Sequence, residues 1–406
     1  MDGQEKPALH RYDLDYVAGV LGGIGRSMFG LDEVSRLLLV ALYSGGHVLL
    51  EGNPGLGKTQ LVKTLCASLG FDLGRFGRIQ FTPDLMPADI TGTKMPVDGN
   101  MAQFAFQHGP IFRWLLLADE INRATPKTQS AMLEAMAERQ VTVLGETHPL
   151  TQERPVSLNG FSETVRPPFM VLATQNPIDQ EGVFDLPEAQ ADRFMFKIRM
   201  PSPPRDVLRK IVSQDAGLSS PAKDRSDGGR SSAEDEALAR FHRIGQAIRA
   251  IEPPPVVYDH ILNIVAVTNR DAVAGTAKLD RSTVGELDEW SHRYVEYGVG
   301  PRAATALMLG AKGYGGLFLG GADQAGAALV RVALPVLRHR LKLVFDWEER
   351  LKEDEKKHRR DLPIRQEDRH DRLLSQLILM TAPAEAGYRD LVRQSLQTAA
   401  AVHTGR

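Results

Sequence analysis

The chain has 406 residues, enough for two or three domains. With 42% hydrophobic residues, 25% charged residues and a net charge of −2, it has the composition of a globular protein without a global basic field for nucleic acid. Its single cysteine, Cys66, excludes an internal disulfide and a cysteine-based metal cluster, and reads as a small buried hydrophobe on a helix. Residues 1–7 lack the apolar core of a secretory signal, and no apolar run reaches ~18 residues. A cytoplasmic chain without a membrane span is the resulting expectation.

Residues 1–15 are polar and read as a loose leader. Residues 31–44 carry leucines and valines at helical spacing and stop at Gly45-Gly46, a C-cap signal. His47-Val48-Leu49-Leu50 is a short apolar run with the character of a buried strand. Gly52 to Thr59 follows, and then a helix over about 58–69. Residues 78–81 predict a second strand and 83–90 a short helix with Pro and Asp near its start. Residues 93–97 and 103–106 are extended pieces around Asp98-Gly99-Asn100, a hairpin turn signal. The run 112–118 ends in Asp119-Glu120, as a buried parallel strand with acids at its carboxyl end would. Residues 127–140 are rich in Ala, Met, Leu and Glu and predict a helix. Residues 141–144 and 147–150 flank Gly145-Glu146 as a further hairpin. Residues 151–168, polar and with three prolines, read as a loop. A buried strand at 169–174, a helix at 187–194 and a strand at 196–200 complete an alternating α/β pattern with a mainly parallel sheet. Pro201-Ser202-Pro203-Pro204 punctuates its end. Beyond it the chain reads mostly helical, with a disordered insertion at 217–235 and a charged, solvated helix at 346–371.

The chemistry gathers around the glycine-rich turn. Glycines let backbone N–H groups turn inward, and those groups together with a helix N-terminus attract phosphate. Asn53, Pro54, Gly55, Leu56, Gly57, Lys58, Thr59 and Gln60 form the expected cradle of a Walker A loop. Lys58 can reach β- and γ-phosphates, and the Thr59 hydroxyl can ligate Mg²⁺. Asp119 is the second candidate Mg²⁺ ligand, and Glu120 the group that polarises an attacking water. Asn176, at the end of the strand 169–174, could orient that water or be an ordinary turn residue before Pro177. Arg193 could reach a neighbouring subunit's γ-phosphate or be a surface arginine. Arg302, at a helix start in the second domain, could touch the nucleotide and sense lid closure.

The order of these features resembles the AAA+ ATPases of the helicase-and-chelatase branch. Longer strings are similar to the MoxR family: residues 50–59, Phe81 to Gly92, Ala118 to Ala124, Ala173 to Gly182 and Leu186 to Phe194. The similarity runs from about residue 20 to 204 and resumes at Gly300–Ala303 and Pro335–Leu341. It implies an α/β P-loop NTPase (AAA+) core followed by an α-helical lid, with ATP and Mg²⁺ as cofactors. It implies that Lys58 and Thr59 serve as Walker A, Asp119 and Glu120 as Walker B, and Asn176 as sensor 1. Arg193 then matches the arginine finger, with Arg123 in reserve, and Arg302 matches the sensor 2 arginine. It further implies a homo-oligomeric ring, usually a hexamer, with ATP between subunits, and chaperone-like work on a protein client. Many members act with a partner that carries a von Willebrand factor A domain. Residues 151–167, 217–235, 273–297 and 346–371 depart from the family pattern as insertions.

The expected domains are a leader at 1–15, an ATPase core at 16–204, a helical lid at 205–383 and a C-terminal helix or tail at 384–406. The expected function is Mg²⁺-dependent ATP hydrolysis coupled to remodelling of a protein client. Competing functions are a nucleic-acid motor or loader and a slow, nucleotide-gated scaffold. The hairpins at 93–106 and 141–150 carry Lys94 as their only Lys or Arg, which disfavours nucleic acid.

Overall fold

A computed structural model describes residues 7–53, 55–97, 100–158, 161–176, 183–215, 230–358 and 368–404. The chain divides into two compact units, one of residues 1–194 and 198–247, the other of 195–197 and 248–406. Each is described separately. The first unit runs to residue 247, so the first part of the helix that starts at residue 230 belongs with the α/β unit.

The first unit contains helices α1 (Arg11–Ser27) and α2 (Asp32–Ser44), strand β1 (Val48–Glu51), helix α3 (Lys58–Ser68) and strand β2 (Phe76–Gln80). Helix α4 (Pro87–Thr91) and strands β3 (Gly92–Val97), β4 (Asn100–His108) and β5 (Leu115–Asp119) follow. Next come α5 (Pro126–Glu138), β6 (Gln140–Val143), β7 (Glu146–Pro149), β8 (Arg154–Leu158), β9 (Phe161–Val165), β10 (Met170–Gln175) and α6 (Glu188–Ala191). Strand β11 (Phe196–Arg199) and helices α7 (Arg205–Asp215) and α8 (Arg230–Ala250) end this part of the chain.

Five strands form the central sheet in the order β11-β1-β10-β5-β2. Strand β10 pairs in parallel with both β1 and β5, and β5 with β2. Leu115, Leu116, Leu117 and Ala118 are fully buried, as are Val171, Leu172 and Ala173 beside them. That two-sided burial is why these strands are continuous apolar runs without polar alternation. Met132, Leu133 and Met136 of α5 pack with Leu116, Phe169 and Val171 in one core. Burying each such side chain contributes about 1.5–3 kcal/mol.

Three expectations need correction in this unit. Residues 151–168 are not a plain loop: β8 and β9 pair antiparallel from Arg154↔Val165 to Leu158↔Phe161. Among the side chains described there, Val156 and Val165 are buried, at 1% and 0% exposure, and Pro155 is tolerated in an isolated two-stranded ribbon. The hairpin turn between β6 and β7 is Leu144-Gly145, both at positive φ (50° and 84°), one residue earlier than Gly145-Glu146. Two positive φ values specify a type I′ turn, with Gly at its second position. The leader gives way to helix at Arg11. Asp13 is 0% exposed, accepts the His10 backbone N–H at 3.1 Å and takes the Arg243 guanidinium of α8. The β3–β4 hairpin is present, but the turn residues Asp98 and Gly99 lie outside the described residues.

Helix α8 is fastened to the core by acids at its start. Glu234 takes Arg75 at 2.9 Å and Arg154 at 3.2 Å, and Asp235 takes Arg154 at 2.8 Å. Residues 230–235 are therefore helical. The rest of the proposed insertion, 217–229, lies outside the described residues.

The second unit is helical: α9 (Pro255–Thr268), α10 (Ala272–Gly275), α11 (Arg281–Tyr294), α12 (Pro301–Phe318), α13 (Ala325–Leu337), α14 (Trp347–His358), α15 (Arg369–Met380) and α16 (Tyr388–Thr404). Strands β12 (Val295–Tyr297) and β13 (Lys342–Leu343) form a short antiparallel pair. Gly326 lets α13 approach α16, since a Cβ there would lie 2.6 Å from the Tyr388 ring. Arg338 makes a buried bidentate pair with Asp371, at 2.8 and 2.7 Å, tying the end of α13 to α15. Of the charged stretch 346–371, α14 to His358 and α15 from Arg369 are helical, Asp368 is an extended N-cap of α15, and residues 359–367 lie outside the description. Asp354 of α14 also takes Arg293 of α11 at 2.8 Å, so α14 is docked on its own unit and not merely solvated. Among the described residues no helix is long and apolar enough to cross a membrane.

Candidate active site

Strand β1 delivers the chain to the glycine-rich turn, and α3 leaves it. Gly55 and Gly57 sit at φ 83° and 70°, the left-handed region that a Cβ disfavours. Gly57 is the N-cap of α3 and offers no side-chain cap, so the first N–H groups of the helix face the turn. Lys58 donates from Nζ to the Gly52 carbonyl at 2.6 Å, which folds its side chain over the loop. Burial pulls the Lys58 ammonium below its ordinary pKa, and the carboxylates of Asp119 and Glu120 act in the opposite direction.

Residues 55–60, Asp119, Glu120 and Asn176 line one pocket of about 420 Å³. The parallel sheet produces this convergence. β1, β5 and β10 are adjacent and run the same way, so the turn after β1, the acids ending β5 and the Asn after β10 share one edge. Asn53 is exposed and outside the pocket lining, and Pro54 lies outside the described residues.

The two acids are held by neighbours that lie outside both motifs. Thr174, 1% exposed, donates to Asp119 Oδ1 at 2.7 Å and accepts the Glu120 backbone N–H at 2.9 Å. Arg78 donates to Asp119 Oδ2 at 2.7 Å. Gln80 donates from Nε2 to Glu120 Oε2 at 2.9 Å, and its Oε1 accepts from Arg78 at 2.7 Å. Glu120 itself has φ 57° and ψ 50°, a left-handed conformation that costs a non-glycine residue roughly 1 kcal/mol. The signal for Thr174 and Gln80 was available: each is a polar residue at or near the end of a core strand, like Asp119.

The arginines separate. Arg123 donates to Glu120 Oε2 of its own chain at 3.1 Å. Arg193, two residues after α6, does not line the pocket, and its buried Nε has no hydrogen-bond partner among the described residues. Arg302 is the second residue of α12, in the second unit.

Residues 47–196 match the model of the ATPase family associated with various cellular activities (AAA). Over 324 residues the chain is 37% identical to Chaperone MoxR1 of Mycobacterium tuberculosis, covering 80% of this chain and 74% of that protein. The chain belongs to the MoxR family of AAA+ ATPases. Protein MoxR of Methylorubrum extorquens is 29% identical over 331 residues, 78% of this chain and 85% of the relative. A crystal structure from Cytophaga hutchinsonii that carries an ATPase assignment superposes with a TM-score of 0.65 at 31% identity, covering 84% of this chain and 91% of that one. In this MoxR-family chain the pocket therefore lies in the AAA-matched segment, with every lining residue between 55 and 176.

The donor set fits the family's cofactors. Thr59 and Asp119 line one pocket and carry hard oxygen donors of the kind Mg²⁺ takes. The uncapped start of α3, the positive-φ glycines and Lys58 suit a polyphosphate.

Proposed function

We propose that this chain is a Mg²⁺-dependent ATPase that works as a homo-oligomeric ring, a hexamer by family analogy, and spends hydrolysis on remodelling a protein client. The observation that carries this reading is the single pocket in which the P-loop backbone and Lys58 face Asp119, Glu120 and Asn176. Thr59 and Asp119 would hold Mg²⁺, which when bound neutralises charge on the β- and γ-phosphates. Lys58 and the first N–H groups of α3 bind and orient the triphosphate. Glu120 accepts a hydrogen bond from the attacking water and aligns it, with Asn176 fixing the water from the β10 side. Arg193 lies outside its own chain's pocket and is assigned to a neighbour's γ-phosphate, while Arg302 senses nucleotide from the helical unit. Arg123 is the weaker candidate for the finger because it already engages Glu120 in its own chain.

A protein client is supported by the name of the relative Chaperone MoxR1. It is also supported by the nearly uncharged hairpins, where Lys94 is itself paired with Glu146 at 2.6 Å. A partner carrying a von Willebrand factor A domain and a cytoplasmic location complete the proposal. The test of a shared site is subunit mixing. Arg193→Ala and Lys58→Ala chains, each inactive alone, should regain a measurable fraction of ATPase activity when mixed, because some interfaces then combine an intact pocket with an intact finger. A flat mixing curve makes Arg193 a residue that acts only in its own chain.

A further inference from the structure

Helix α5 starts one short turn after Glu120, and its buried Gln129 has no role in the pocket. The side chain is 0% exposed. Its Nε2 faces three backbone carbonyls: Ile121 at 3.2 Å, Ala124 at 3.1 Å and Phe184 at 3.1 Å. Its Oε1 is buried without a hydrogen-bond partner among the described residues, so only the donor end of this amide is engaged. Three acceptors around one nitrogen leave no alternative orientation, because the oxygen placed there would meet three oxygens. Two N–H groups serve three carbonyls, one of them shared.

Two of those carbonyls belong to the 3₁₀ turn Ile121–Arg123 and the residue that caps it. That turn begins at Glu120, whose left-handed backbone must be held by its surroundings. Thr174 holds the amide side of Glu120. Gln129 holds the carbonyls that follow. The third carbonyl, Phe184, belongs to a segment whose backbone N–H also bonds the Asn122 carbonyl at 2.7 Å. Gln129 therefore closes a loop of contacts around the turn while lying outside the pocket lining.

We propose that Gln129 is the positioning residue that fixes the direction of the Glu120 carboxylate. This rests on the hydrolytic role assigned to Glu120 above. A polar side chain is required here because an apolar one of the same length removes the donor shared by the three carbonyls, leaving Ile121 only its 3.4 Å bond from the Ala124 N–H, and frees the turn to relax the strained φ of Glu120. A misplacement near 1 Å at a catalytic group costs up to about a hundredfold in rate.

The test uses the full chain with Gln129→Met, read by kcat, KM and the affinity of a fluorescent ATP analogue. The expected result is a kcat lower by about 10- to 100-fold, with KM and analogue affinity within about twofold because Gln129 does not line the pocket. Combined with Glu120→Gln, the substitution should lower kcat no further, since both act through one carboxylate. A wild-type kcat, a loss that multiplies with that of Glu120→Gln, or a loss of analogue binding equal to the loss of kcat overturns the proposal. If Gln129→Met does not fold, Gln129→Asn keeps an amide one methylene short. It should show the same split of kcat from KM, and a wild-type kcat there is equally fatal. Glu120→Gln measured alongside separates the two claims. If it hydrolyses ATP at the wild-type rate, the hydrolytic reading fails and Gln129 has nothing to position. If it is inactive while Gln129→Met turns over normally, only the role of Gln129 is lost.

Discussion

Replacing Thr174 with Val tests whether the acids are set by the strand beside them. Valine has nearly the shape of threonine, so no cavity forms at this 1%-exposed site. What disappears is the hydroxyl that donates to Asp119 Oδ1 and accepts from the Glu120 N–H. The orphaned N–H costs about 1–3 kcal/mol, and the lost hydrogen bond to a carboxylate about 1.5–3 kcal/mol. Asp119 keeps Arg78, and its side chain is 16% exposed, so water recovers part of the second term. The net expectation is about 2–4 kcal/mol of stability, read as a lower urea midpoint, with kcat down about 10- to 100-fold as Glu120 loses one of its supports. An unchanged midpoint together with an unchanged kcat refutes the bridging role.

Two further outcomes follow from buried groups. His47 is buried, with Nδ1 accepting the Val171 N–H at 3.0 Å, and burial holds it at about 4. His260, buried in the other unit between Tyr388 and the Ile378 carbonyl, is likewise held at about 4. Both rings stay neutral in the folded chain while the unfolded chain takes up protons below pH ~6.5. Stability is thus full above that pH and falls as pH drops toward about 4, by up to about 3 kcal/mol per ring at about 1.36 kcal/mol per pH unit. Urea midpoints that are level between pH 7 and 4.5 contradict this. Burial also pushes the Cys66 thiol up to about 12. The native chain at pH 8 should resist iodoacetamide, labelling only when α3 opens, and bound ATP should slow labelling further. Prompt labelling of the folded chain rules that out.

The parts of the site legible in the sequence are those built from short-range pattern. Gly52 to Thr59 and Asp119-Glu120 each combine an apolar strand with polar residues at its end, and the parallel sheet brings them together. What the sequence hid depends on contacts between distant residues. Thr174 and Glu120 lie 54 positions apart, and Gln80 and Glu120 lie 40 apart, so no local period links them. Asp13 looked like part of a polar leader because its partner, Arg243, lies 230 positions away. The β8–β9 ribbon escaped because its two short strands pair only with each other, away from the apolar runs of the central sheet. Gln129 was absorbed into a helix read from composition, although a glutamine on the buried face of a helix needs a partner.

The central claim is that Glu120 performs hydrolysis at a site that Lys58 makes competent to bind ATP. Measuring fluorescent-ATP affinity and phosphate release for Glu120→Gln beside Lys58→Ala tests it most directly. The account predicts that Glu120→Gln binds ATP within about threefold of the wild type and releases phosphate at least about a hundredfold more slowly, while Lys58→Ala loses binding. Phosphate release by Glu120→Gln at the wild-type rate, or undiminished ATP binding by Lys58→Ala, contradicts it.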